Sequence, residues 1–219
     1  MSSIYHENIR ARLEHIATLT SSRLPRHGRH GSRVTIFPSK KNNAPLMCES
    51  LLEAAFCLEL ERRADIVRYE IHPYTLNFKC SKFRYTPDFE VTYISGAQQL
   101  VEVKNDDSFE CVRIRSRLWR ITDLLAKHDC LLECLPMRHF YHPIRAVNLD
   151  YLYHRGYNST GQADASIQRY LAQQHKAIPL HQLLHHIYEA KEIAHALFYR
   201  AIDCNLRKPV TGRTMVWLN

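Results

Sequence analysis

The chain has 219 residues, enough for one large domain or two small ones, and its 45% hydrophobic and 24% charged residues are those of an ordinary soluble globular protein. Thirty lysines and arginines against 22 acidic residues leave a net charge of +8, which favours a polyanionic partner. Seven scattered cysteines without a CxxC pair, no leader-like start and no apolar run of spanning length argue against a disulfide scaffold, a secreted precursor and a membrane protein, and for free thiols in a bacterial cytoplasm.

Residues 1–45 read as a basic N-terminal arm. Ile4 to Leu19 has the spacing of a short amphipathic helix with Ile9, Leu13 and Ile16 on one side. Arg23, Arg26, Arg29 and Arg33 then follow with His27 and His30, a run suited to wrapping on phosphates or to remaining a solvated tail. Residues 46–140 read as a mixed α/β domain. Ser50 to Glu61 is a helix of good formers without Gly or Pro, on which Glu53 shares the apolar stripe of Phe56, Cys57 and Leu60. Ile66 to Lys79 is β-branched and aromatic, interrupted at Pro73.

Arg84 to Lys104 has the pattern of two strands turning at Ser95-Gly96. Ser108 to Lys127 predicts one basic helix bearing Arg113, Arg115, Arg117 and Arg120, and Leu131 to Met137 a buried strand. His139 to Asn148, with Pro143 and no clear period, reads as the domain boundary. Within 141–219 the pattern predicts helices from about Gly161 to Gln174, Pro179 to Tyr188 and Ala190 to Cys204. A terminal hairpin turning at Thr211-Gly212 follows, in the order of a winged helix-turn-helix.

The chemistry concentrates on the central hairpin. Strand alternation puts Glu102 and Lys104 on one face and Val101 and Val103 on the other, with Asp88 at the Pro87-Asp88 corner of the neighbouring strand. Two carboxylates suffice for magnesium, which keeps several waters, and the Val103 carbonyl offers a third oxygen. Lys104 then holds the attacking water or steadies developing charge. Glu53, arriving from the helix, adds a further ligand or a buried salt bridge to an arginine. A bare D-x13-E-x-K pattern also describes a surface strand of alternating charge; the apolar flanks and the acidic helix residue argue for a site.

The order Ser50-Leu51-Leu52-Glu53, Ile71-His72-Pro73, Tyr85-Thr86-Pro87-Asp88-Phe89 and Val101-Glu102-Val103-Lys104 resembles the TnsA family, endonuclease subunits of heteromeric cut-and-paste transposases. Phe37-Pro38-Ser39-Lys40 and Glu49-Ser50 are similar to that family's N-terminal pattern, and the likeness is strongest over 34–135. The resemblance implies a restriction-endonuclease-like PD-(D/E)xK core and a winged-helix-like C-terminal domain. It implies cleavage of the non-transferred strand at transposon ends, with Glu53, Asp88, Glu102 and Lys104 as the catalytic set and magnesium or manganese as cofactor. Double-stranded DNA, an integrase-like transposase and an ATP-dependent regulator are the implied partners. Glu49, one turn before Glu53, is the lesser candidate ligand, and His72 stands where many members have Gln.

Other readings stay open: a free-standing nuclease of the same core, or a non-cutting DNA-binding adaptor. His181, His185, His186 and His195 suggest zinc, but no third ligand of suitable spacing is evident. Tyr69, Tyr74, Tyr85, Tyr93 and Trp119 read as packing residues before base-stacking ones.

Overall fold

The first helix is docked by charge as well as by apolar packing. In α1 (Ile9–Ile16) the Asn8 side chain caps the helix by accepting from Arg10 N–H, and Ile9 and Leu13 are fully buried. Arg10 reaches the carboxylates of Glu70 at 2.7 Å and of buried Glu90 at 3.2 Å, and its guanidinium lies 5.2 Å from the Tyr74 ring centre. The structure, a computed structural model, describes residues 8–22, 34–79, 83–185 and 188–218. It divides into two compact units, residues 1–61 with 65–140, and residues 62–64 with 141–219.

In the first unit α1 leads into β1 (Ala17–Thr20), β2 (Thr35–Ser39), β3 (Ala44–Cys48), α2 (Leu51–Arg62), β4 (Ile66–Ile71), β5 (Thr75–Phe78), β6 (Arg84–Tyr85), β7 (Phe89–Tyr93), β8 (Gln98–Lys104), α3 (Asp106–Glu110), α4 (Val112–Ala126) and β9 (Leu132–Pro136). The principal sheet has the order β4-β7-β8-β9. Its first two pairings are antiparallel and its last is parallel, with α3 and α4 as the crossover that parallel strands need. A second sheet, β1-β5-β6, and the β2-β3 hairpin complete the unit, so the fold is mixed α/β.

The principal sheet is covered on both sides. Phe56 of α2 meets Phe89 of β7 edge to face at 5.0 Å, and Val101 is the cross-strand partner of Phe89 on that side. Leu100 and Leu132 on the opposite side join Leu118, Ile121 and Leu125 of α4 with Ile9 and Leu13 of α1 in one apolar cluster. Behind α2, fully buried Glu61 accepts from Ser39 Oγ and from Tyr69 Oη at 2.9 Å, tying the β2-β3 hairpin to the helix and sheet.

Two expectations are corrected here. Residues 9–20 and 35–45 are integral to the first unit and are not an arm, because α1 buries its apolar side in the core and β1 pairs with β5. The arginine run Arg23 to Arg33 lies outside the described residues. The predicted basic helix is two helices, broken where Cys111 turns extended and precedes α4.

The second unit runs α5 (Pro143–Gly156), α6 (Asp164–Gln174), β10 (Ile178–Pro179), α7 (Leu180–His185), α8 (Ala190–Phe198), β11 (Ile202–Cys204) and β12 (Met215–Leu218), with β12 central in an antiparallel sheet. The division between residues 140 and 141 falls within the stretch read as a boundary, 139–148, and the later part of that stretch opens α5: Pro143 stands in its first turn and the His142 ring accepts from Arg145 N–H. Helix α8 stops at Phe198, not at Cys204, and Arg200 is left-handed (φ 63°) where the chain turns into β11. Gly156 permits α5 and α8 to cross closely, since a Cβ there would lie 2.7 Å from His195 N. Buried Asn148 donates to the carbonyls of Leu206 and Lys208 and accepts from Val210 N–H, fixing the loop before β12. Among the described residues no helix is long and apolar enough to cross a membrane.

Leu13→Ala tests the docking of α1. A fully buried leucine in a packed cluster is worth about 2–5 kcal/mol, so the first unfolding transition in urea should move to markedly lower denaturant. An unchanged transition would return residues 9–20 to the status of an arm.

Candidate active site

Strand alternation and sheet register bring Glu102 and Lys104 to one edge of the principal sheet. Leu100, Glu102 and Lys104 share the face toward α4, and where that face passes from core to open cleft the residue type changes from leucine to carboxylate to amine. The Phe89–Val101 pairing puts Asp88, just before β7, beside the end of β8. Asp88 Oδ2 accepts from Val103 N–H at 2.9 Å and from Lys104 Nζ at 3.2 Å. The Glu102 carboxylate receives Lys104 Nζ at 2.6 Å on one oxygen and Tyr85 Oη at 2.7 Å on the other. Lys104 also donates to the Val103 carbonyl at 3.1 Å. Asp88, Glu102, Val103 and Lys104 are therefore brought together as expected from the strand pattern.

The charges of these groups act on one another. Burial pushes the Asp88 carboxyl above its ordinary range, against the pull of Lys104 and the Val103 N–H, and the nearby Glu53 adds to the rise. Burial also raises Glu102, reinforced by the charge of Asp88. Burial disfavours the Lys104 ammonium, but the two carboxylates more than offset this and hold its pKa above normal. Lys104 is thus a donor and a positive charge at neutral pH. Buried Glu102 and half-buried Asp88 share one ammonium, so with both ionised the cluster carries an excess negative charge.

Glu53 sits apart from this trio. Its carboxylate accepts from Ser50 Oγ and from Glu49 N–H, both at 2.8 Å, while Ser50 Oγ accepts from Glu53 N–H. Ser50 Oγ thus caps the start of α2 through the Glu53 N–H, and the Glu53 carboxylate is in turn held by Ser50 Oγ and by the N–H of Glu49 just ahead of the helix. Between Glu53 and Asp88 stands the His72 ring, with Nε2 3.7 Å from Glu53 Oε2 and 4.0 Å from Asp88 Oδ1. Among the described residues no group of three His, Cys, Asp or Glu side chains is close enough to hold an ion. Of the four expected residues, Asp88, Glu102 and Lys104 are in direct contact and Glu53 neighbours them across the His72 ring. The acid that reaches the cleft from this corner is Glu49, the one ranked second.

His72 is held in an unusual backbone conformation. Its φ is 44°, sparsely populated for a side-chain-bearing residue, and it immediately precedes Pro73. The strain is supported by the sheet: His72 N–H donates to the Asp88 carbonyl at 2.9 Å, one step beyond the Ile71–Phe89 pair. Left-handed geometry aims the ring toward the carboxylates.

The trio opens into a cleft of about 600 Å³, whose walls include Glu49, His72, Arg84, Tyr85 and Arg117. The donor set suits a hard divalent ion. Asp88 and Glu102 supply two carboxylates in a region of excess negative charge, and Val103 adds a carbonyl. Among the described residues the C-terminal histidines form no metal-binding group. His181 Nδ1 bonds the Gly212 carbonyl at 2.9 Å, His195 Nδ1 bonds Asp164 at 3.1 Å, and His186 lies outside the described residues.

Tyr85 and His72 were not identified as site residues by sequence reasoning. Tyr85 carried a weak signal, three residues before Asp88, but an aromatic in a strand is ordinarily core. No family model matches the chain, and no curated protein is significantly similar to it.

Two outcomes are expected. Because Asp88 and Glu102 have folded-state pKa values above those of the unfolded chain, the folded form binds more protons. Their contribution to stability is present at low pH and is lost as pH rises through the folded pKa. Glu102→Gln should therefore raise the melting temperature at pH 7, with the gain fading as pH falls through the raised folded-state pKa and gone below the ordinary glutamate value of about 4.3; a lower melting temperature at pH 7 would mean the cluster is a net structural support. Ser50→Ala and Glu53→Ala should each cost about 1 kcal/mol, with the double variant costing less than the sum, since both break one cap. Additive losses in denaturant melts would refute the shared cap.

Proposed function

We propose that the chain is a metal-dependent DNA endonuclease similar to the TnsA-family subunits, cutting the non-transferred strand at transposon ends alongside an integrase-like transposase. One observation carries the reading: Asp88 and Glu102 both lie within 3.2 Å of the Lys104 ammonium, at the end of adjacent strands and open to a cleft with arginines on its wall. The order α2, β4, β7, β8, α4, β9, with β9 parallel to β8, supports a restriction-endonuclease-like PD-(D/E)xK core. Helices α7 and α8 followed by the β11-β12 pair have the order of a winged helix, a module for DNA or protein contact. An ATP-dependent regulator is a further proposed partner for that unit.

Each residue has a distinct task. Asp88 is oriented by the Val103 N–H and Glu102 by the Tyr85 hydroxyl, so neither carboxylate must reorganise when substrate arrives. Magnesium or manganese, held by Asp88, Glu102 and the Val103 carbonyl, supplies polarisation of the phosphoryl group and a water of lowered pKa when bound. Lys104, kept protonated by its neighbours, donates to the attacking water and steadies the charge developing on the phosphoryl oxygens. Arg84 and Arg117 on the wall neutralise flanking phosphates. In-line attack of water leaves a 3′-hydroxyl and a 5′-phosphate.

Asp88→Ala and Lys104→Ala should each reduce strand-specific cleavage of a labelled transposon-end duplex by at least about 100-fold, measured with the cognate transposase and magnesium present. Chelator should abolish it in the wild type. Circular dichroism and melting of the variants should report an intact fold. Cleavage that persists in both variants sinks the assignment, and loss of folding in both makes the residues structural.

A further inference from the structure

The arginines of α4 are not distributed evenly around the helix. Arg113, Arg117 and Arg120 fall at spacings of four and three, which stacks them in one row along about 10 Å of helix axis, whereas Arg115 lies on the other flank with Trp119. All three row members are exposed, and among the described residues none of them forms an ion pair. The only acidic residue of α4, Asp123, is taken by Lys127 at 2.7 Å.

The row is continuous with the site. Arg117 lines the cleft that holds Asp88 and Lys104, and with Arg120 it lines a smaller adjoining cavity of about 130 Å³. We infer that Arg113, Arg117 and Arg120 form a track for the sugar–phosphate backbone of double-stranded DNA, leading the duplex to the Asp88–Lys104 cleft. The inference deepens the nuclease reading and rests on it for the destination of the DNA. Three unneutralised guanidiniums in a rigid line are complementary to a regular polyanion.

Duplex is preferred over single strand because the row offers no aromatic platform for bases. Its one adjacent ring, Phe83, has the Arg117 guanidinium 5.4 Å from its centre, and the exposed Trp119 is on the other flank.

The test uses the full chain in EDTA, so that cleavage plays no part, and a fluorescent random-sequence duplex of about 40 base pairs across a salt series. Each lost phosphate contact should lower the slope of log K against log salt by about 0.9. The triple variant Arg113→Ala/Arg117→Ala/Arg120→Ala should therefore lose about 2–3 in slope. Arg113→Ala/Arg120→Ala, which leaves the Phe83 contact intact, should lose about 2. The triple Arg→Lys variant should keep the wild-type slope, and so should Arg115→Ala.

The track is overturned if wild type does not bind the duplex, if the triple Ala variant keeps its slope, or if Arg115→Ala loses as much. Equal dependence on the row with a single-stranded probe overturns the duplex assignment. Row-dependent binding without cleavage at transposon ends would remove the nuclease reading and leave the track standing. Cleavage with an unchanged slope would do the reverse.

Discussion

One ammonium between the buried carboxylate of Glu102 and the half-buried one of Asp88 is the constraint around which the first unit is arranged. Lys104 touches Asp88, Glu102 and the Val103 carbonyl at once, and it reaches all three only because β7 and β8 are held in one register. A one-residue slip would turn Glu102 and Lys104 to the α2 side and Val101 and Val103 to the cleft. That register is secured by apolar packing on both sheet faces, with Phe89 against Phe56 on one side and Leu100 in the α4 cluster on the other. A core of ordinary hydrophobic residues thus holds in place a polar cluster that is unfavourable in itself, since burial raises both carboxylates.

The corner beside it is built from a helix cap and a strained turn. Glu53 and Ser50 close the first turn of α2, and His72 occupies a left-handed conformation so that its ring enters the space between Glu53 and Asp88. Capping explains why a carboxylate can lie on the apolar side of α2 without an arginine: hydrogen bonds from Glu49 N–H and Ser50 Oγ satisfy it. The salt bridge considered for Glu53 is therefore unnecessary, and the electrostatic influence of Glu53 on Asp88 is exerted across the His72 ring.

The second unit depends on a different economy. Small and polar residues at tight crossings do much of its positioning: Gly156 at the approach of α5 to α8, and Asn148 with three bonds to the loop before β12. Its Asp164–His195 pair adds a polar tie between α6 and α8. These contacts stabilise the unit.

The sequence by itself determined what depends on short periods. Alternation in Val101-Glu102-Val103-Lys104 is a local property of a strand, so the shared face of Glu102 and Lys104 was legible, as were the break at Pro73, the turn at Gly96 and α2. Tertiary structure alone decided the rest. Whether Ile9 and Leu13 form a core or idle in an arm depends on partners a hundred residues away in β8, α4 and β9. The boundary near Pro143 was legible from the break in period, but that α5 begins there depends on the burial of Leu149, Leu152 and Tyr153. Glu53 and Glu49 are both carboxylates one turn apart. Which one caps and which one faces the cleft is settled by the direction in which α2 enters, and that direction is set by long-range contacts that no local pattern encodes.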